Sequence, residues 1–165
     1  MNNDNEKVLK ITTFNNTKLE QTQKLFVNQI TNNCFKVIRM PAKVFGLGYG
    51  DIITINNDES ITVKHQGFVG CRIYGRHLIE GGTLDKAIEF IKSSSGVYEL
   101  YANREDLFIF LVGFPVELGW NNIQQFCDSN FENCQWEYAN VFDENNQFLE
   151  WWRGKEPNLS ISIEK

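Results

Sequence analysis

Leu107 to Phe114 reads LFIFLVGF, eight residues without a polar side chain. Bounded by the turn-like NRED on one side and Pro115 on the other, it reads as a β-strand. Both of its faces are apolar, so it must lie centrally in a sheet that is covered on at least one face. Its flanks define the rest of a unit. VGCRIYGRHL reads as a strand; in GGTLDKAIEFIKSSSG, Leu84, Ala87, Ile88 and Ile91 recur at helical spacing. Thr83 stands at the expected N-cap with Lys86 three residues on, a cap without a capping box, and Gly96 marks the stop. VYELYA is a strand. In PVELGWNNIQQFCDSN, Val116, Trp120, Ile123, Phe126 and Cys127 give a second amphipathic helix, and CQWEYANVF a last strand. The order is β-α-β-β-α-β, the ferredoxin-like split βαβ arrangement, with two helices on one face of a four-stranded antiparallel sheet.

The N-terminal part has a different texture. Val8–Phe14 is a strand, and Lys24–Ile30 and Cys34–Met40 flank the polar TNN as a hairpin, with a helix over Leu19–Ile30 as the rival reading. DIITI and ITVKHQ flank NNDES in the same way. About five strands in 66 residues predict a small, curved antiparallel sheet or open barrel. The expected fold class is therefore α+β, with a β-rich subdomain over 1–66, a ferredoxin-like subdomain over 67–142 packed against it, and a C-terminal strand and tail over 143–165. Phe148–Arg153 is the expected strand of that tail, followed by a frayed end.

Between the N-terminal strands lies VFGLGYGDII, Val44–Ile53, with glycine at 46, 48 and 50. A phosphate-binding loop gathers backbone N–H groups at the start of a helix. Here β-branched residues follow Asp51, the spacing is GxGxG, and no Gly-Lys-Ser/Thr occurs. The stretch is better read as a backbone corner re-entering a sheet after Pro41, in which Asp51 accepts backbone N–H bonds.

Phe35–Ile55, FKVIRMPAKVFGLGYGDIITI, resembles the hallmark of a bacterial family of small proteins known as domain of unknown function 4265, through Pro41, Gly46 or Gly48, Tyr49, Gly50 and Asp51. HQGFVGCRIYG, with Gly67 and Arg72, and LFIFLVGFPVE are similar to later segments of that family, so the likeness spans most of residues 8–141. This chain has Met-Pro where Ile-Pro is usual, and extra residues after Phe142. The resemblance implies a bacterial, intracellular, small-module context and supplies no catalytic residues.

Charge is unevenly distributed along the chain. Residues 1–66 carry eight Lys/Arg and six Asp/Glu; residues 67–165 carry eight and fifteen. Glu99–Glu150 holds ten acidic residues and one basic, Arg104. Such a segment repels nucleic acid and would attract a basic protein; the plainer reading is a solvated acidic face that only keeps the chain soluble. No run approaches the roughly 20 apolar residues that span a bilayer, and Met1–Glu6 lacks an apolar signal core, so a cytoplasmic location without membrane association is expected. Cys34, Cys71, Cys127 and Cys134 lack CxxC spacing and read as free thiols; with only His65 and His77 besides, no metal site or cofactor is expected.

Catalysis finds little to work with. A Cys71–His65 pair is conceivable, and Arg72, Arg76 and Arg104 could converge on an anion, but strand-edge histidines, a core cysteine and solvated arginines are the plainer assignments. Asp58-Glu59, Glu105-Asp106 and Asp143-Glu144 fall in turns, where desolvation is too weak to raise a pKa for acid work. Trp136, Tyr138, Phe142, Phe148, Trp151 and Trp152 crowd together near the C-terminus. On a strand Trp151 and Trp152 face opposite sides. One Trp left exposed beside Asp143, Glu144 and Glu150 resembles a binding hot spot with a charged rim; the alternative is that the tail folds back, closes the sheet and buries both rings. The expected function is thus a non-enzymatic intracellular protein-binding module, specifically an immunity-type inhibitor masking a cognate bacterial toxin through Trp151, Trp152, Asp143, Glu144, Glu150 and Phe148. The alternatives are a small-molecule-sensing ferredoxin-like module and a cysteine-dependent enzyme.

Overall fold

The central strand announced by LFIFLVGF is β8 (Leu107–Pro115), hydrogen-bonded on both sides in a computed structural model that describes residues 6–14, 20–143, 147–154 and 161–164. The chain divides into two compact units, Met1–Gln66 with Ala139–Lys165, and Gly67–Tyr138. Together they make a mixed α+β protein of two antiparallel sheets and two helices, mostly strand.

In the discontinuous unit the strands are β1 (Glu6–Phe14), β2 (Glu20–Thr31), β3 (Cys34–Val37), β4 (Ile52–Ile55), β5 (Ile61–Lys64) and β10 (Ile161–Glu164). They form one sheet in the order β10-β1-β2-β3-β4-β5. Residues 24–30 are strand and not helix because their burial has period two: Leu25 and Val27 point inward with Phe35, Val37, Ile53 and Val63. The expected frayed end contains a strand, β10, paired with β1 through Ile11↔Ile163.

The expected strand over Phe148–Arg153 does not form. Phe148 makes a single antiparallel bridge to Phe142, and Trp151–Arg153 is a 3-10 turn. Glu150 (φ 51°) and Gly154 (φ 80°) are left-handed on either side of that turn, and extended backbone cannot run through them.

The contiguous unit contains β6 (Phe68–Gly75), α1 (Gly81–Ser93), β7 (Val97–Arg104), β8, α2 (Trp120–Asn130) and β9 (Gln135–Tyr138), with the sheet ordered β7-β8-β6-β9 and all pairs antiparallel. Alternate residues of β8, Phe108, Phe110, Val112 and Phe114, are fully buried. The three Phe rings meet Phe90 of α1, Phe126 of α2 and Phe131, with Phe114–Phe126 centroids 5.0 Å apart and Phe108–Phe131 5.5 Å. Each such ring removed from water contributes about 1.5–3 kcal/mol. α1 starts earlier than Thr83: the Glu80 carbonyl accepts the N–H groups of Thr83 and Leu84, and no side chain caps the helix. At its exit Ser95 takes the left-handed conformation (φ 57°). Gly96 is there for closeness, since an added Cβ would lie 2.8 Å from Ile91 Cγ2 and 3.0 Å from the Gly113 carbonyl.

Candidate functional site: the Asp51 corner and its aromatic ladder

Between β3 and β4 the chain makes an irregular corner whose apolar residues Met40, Val44 and Leu47 are buried. Gly46 (φ 83°) and Gly50 (φ 82°) occupy the left-handed region, where a side chain would be strained. Every glycine amide in the corner is already committed. Gly46 N–H donates to the Ala139 carbonyl (2.9 Å), Gly50 N–H to the Val37 carbonyl (2.9 Å), and Gly48 N–H to Asp51 Oδ2 (2.7 Å). Ile52 then opens a strand, so the amides do not converge at a helix start as phosphate binding requires.

Asp51 is fully buried and accepts three hydrogen bonds. Oδ2 takes Gly48 N–H and faces His65 Nδ1 at 2.9 Å; Oδ1 takes Gln66 N–H at 3.1 Å. Burial pushes its pKa above 3.8 and outweighs the pull of His65, Gly48 and Gln66 in the other direction. The His65 side chain is only 3% exposed, and its buried Nε2 has no hydrogen-bond partner among the described residues. Its ring stacks on Trp151, with centroids 4.9 Å apart and planes at 24°. The Trp151 indole N–H donates to the Asn140 carbonyl at 2.7 Å, which seats this ring on the first residues after β9.

From Trp151 the rings continue outward. Trp152 lies edge-on to it (5.4 Å), Phe148 edge-on to Trp152 (4.9 Å), and Phe142 beside Phe148 (5.4 Å). Trp151 is buried, Trp152 is half-buried, and Phe148 is 51% exposed. The acidic residues around them have partners of their own. Glu150 pairs with Arg153 at 2.6 Å, and Asp143 Oδ1 accepts the Gln147 N–H at 2.8 Å. Glu144 lies outside the described residues. Trp151 and Trp152, on a 3-10 turn, do not take opposite faces of a strand as the sequence suggested; their planes stand at 84° to each other.

The residues weighed for catalysis have other commitments. Cys71 is buried beside Cys127, and burial pushes its thiol well up, away from the reactive thiolate. Arg72 is buried and pairs with Glu137 at 3.1 Å, while Arg104 is exposed near Asp106. His77 Nε2 lies 4.0 Å from Cys134 Sγ. All four cysteines are free, and among the described residues no three His, Cys, Asp or Glu side chains cluster as metal ligands. No helix among them is long and apolar enough to cross a membrane.

The Asp51–His65 pair was the feature that sequence reasoning missed, although the signal was present. Pairing Ile55 with Ile61 across the NNDES turn sets Ile52 opposite Lys64, and one more step along the hairpin sets Asp51 beside His65.

No protein-family model and no curated protein matches the chain. Among solved structures it is similar to a hypothetical protein from Neisseria gonorrhoeae, at 17% identity and a TM-score of 0.55, over 81% of this chain and 94% of that one. The likeness is one of fold.

Proposed function

We propose that this protein is a non-enzymatic protein-binding module of the bacterial cytoplasm, an immunity-type inhibitor that masks a toxin through a patch formed by Phe148, Trp152, Asp143 and Glu150; Glu144, which the sequence adds to this set, lies outside the described residues. The observation that carries this reading is Phe148, an aromatic ring half exposed and seated between Trp152 and Phe142 in the ladder. Aromatic anchors held in place before binding lose little conformational freedom on contact and dominate interface energies. Trp151, buried on His65, supports the patch from beneath. The acidic stretch over 99–150 favours a basic partner and a fast encounter. The strand order β7-β8-β6-β9 with two helices supports reading the contiguous unit as ferredoxin-like. The Pro41–Asp51 motif supports kinship with the domain of unknown function 4265 family.

The test is binding and rescue with the purified product of the adjacent gene in the source genome. Phe148→Ala combined with Trp152→Ala is expected to weaken that complex by about 30-fold or more and to abolish protection of cells that express the partner. Equal binding by the double variant and the parent, or no complex with the neighbour's product, overturns the proposal.

A further inference from the structure

A second site lies wholly within the contiguous unit and is independent of the aromatic ladder. Residues two apart on a strand share a face. In β8 Leu107 and Ile109 do so, while Arg76 follows Tyr74 in the bend after β6 and Asn133 precedes Gln135 in the left-handed turn (φ 60°) before β9. The registers Tyr74↔Ile109 and Tyr74↔Gln135 bring Tyr74, Ile109 and Gln135 side by side. This is the sheet face opposite Phe108 and Phe110, hence opposite the helices. These six residues, with Gly75 and His77, line an open groove of about 520 Å³. That volume falls within the range of small-molecule sites, roughly 300–1,000 Å³.

The chemistry of the groove is divided. Among the lining residues Leu107, Ile109 and Tyr74 bring apolar surface, and Arg76, His77, Gln135 and Asn133 bring polar groups. Glu137, the carboxylate two residues along β9 from Gln135, is already paired with the buried Arg72. Arg76 is exposed and has no carboxylate partner among the described residues, an uncompensated cation in a chain of net charge −5. Burial, then Glu137, push the Tyr74 phenol up against a smaller opposing effect of Arg72, so it stays a hydrogen-bond donor at neutral pH.

We propose that this groove binds a small planar acid, an aromatic or heteroaromatic ring bearing one carboxylate, with the ring on Leu107, Ile109 and Tyr74 and the carboxylate on Arg76. A single guanidinium fork matches one carboxylate in two parallel hydrogen bonds, and the apolar surface gives a ring what a bare inorganic anion cannot use.

The probe is 2-naphthoate, titrated into the full-length ¹⁵N-labelled chain and followed by NMR beside its neutral isostere 2-naphthamide and inorganic phosphate. Shifts are expected to concentrate at residues 74–77, 107–109 and 133–135, with naphthoate at least about tenfold tighter than the amide. Arg76→Gln, a surface change whose fold is checked by circular dichroism, is expected to erase that difference and leave amide binding unchanged. Phe148→Ala is expected to leave naphthoate binding intact, which separates this site from the partner-binding patch. Equal affinity for naphthoate and naphthamide overturns the proposal. So do shifts centred elsewhere, phosphate binding as tight as naphthoate, or no binding up to roughly 10 mM.

Discussion

In the discontinuous unit, the corner between β3 and β4 is held by hydrogen bonds converging on one buried carboxylate, Asp51. In the contiguous unit, the space between helices and sheet is filled by the rings of Phe90, Phe108, Phe110, Phe114, Phe126 and Phe131. Dispersion and apolar burial are non-directional, so that core depends on volume and tolerates exchanges that conserve it. Hydrogen bonds at a buried carboxylate are directional and interdependent, so the corner depends on chemical identity and is sensitive even to an exchange of equal shape. The corner needs this device because residues 38–51 have little regular ladder to satisfy their backbone, whereas the second unit's strands satisfy one another.

The comparison can be broken in order of size. Phe110→Ala is expected to cost about 3–5 kcal/mol by urea denaturation, and Phe110→Leu a small part of that. Asp51→Asn changes almost no volume but turns a donor toward Gly48, Gln66 or His65; about 2–3 kcal/mol is expected, against under about 1.5 kcal/mol for the equally conservative Leu111→Met in the other unit. A neutral Asp51→Asn would remove the distinction between the units. Gly96→Ala tests a tight backbone approach in the contiguous unit, where the neighbouring Gly113 carbonyl is held in the sheet; about 1–2 kcal/mol and a lower melting temperature are expected.

The smallest effect is a pH dependence with an unusual sign. Because Asp51 is raised when folded, the chain binds its proton more tightly folded than unfolded. Its contribution is fully present below the unfolded value near 3.8 and is lost as pH rises through the folded value. The stability gap between parent and Asp51→Asn is therefore expected to narrow from about pH 4 toward pH 7, as measured by urea denaturation at each pH. A gap that widens with pH would mean that the hydrogen bonds outweigh desolvation.

What the sequence revealed follows the range of the forces involved. LFIFLVGF, the β-rich runs around TNN and NNDES, and the glycine corner were legible because alternation, apolar runs and turn residues are local signals. The start of α1 at Gly81 was not, since its cap is a backbone carbonyl that any residue could offer. The tail was misread because β-prone Phe and Trp outvoted the left-handed Glu150, a conformation no local propensity announces. At the site, Phe148, Trp151 and Trp152 stood out by composition, but the stack of Trp151 on His65 joins residues far apart in the chain and leaves no periodic trace.

That same separation bears on how the molecule is made. One sheet comes from an unbroken stretch, 67–138; the other waits for β10 and for Trp151, both of which follow that stretch in the sequence. As the chain leaves the ribosome, the ring-packed half has all its parts before the half bearing Asp51 does. His65 must then stand without its aromatic cover for as long as translation of the remaining residues takes.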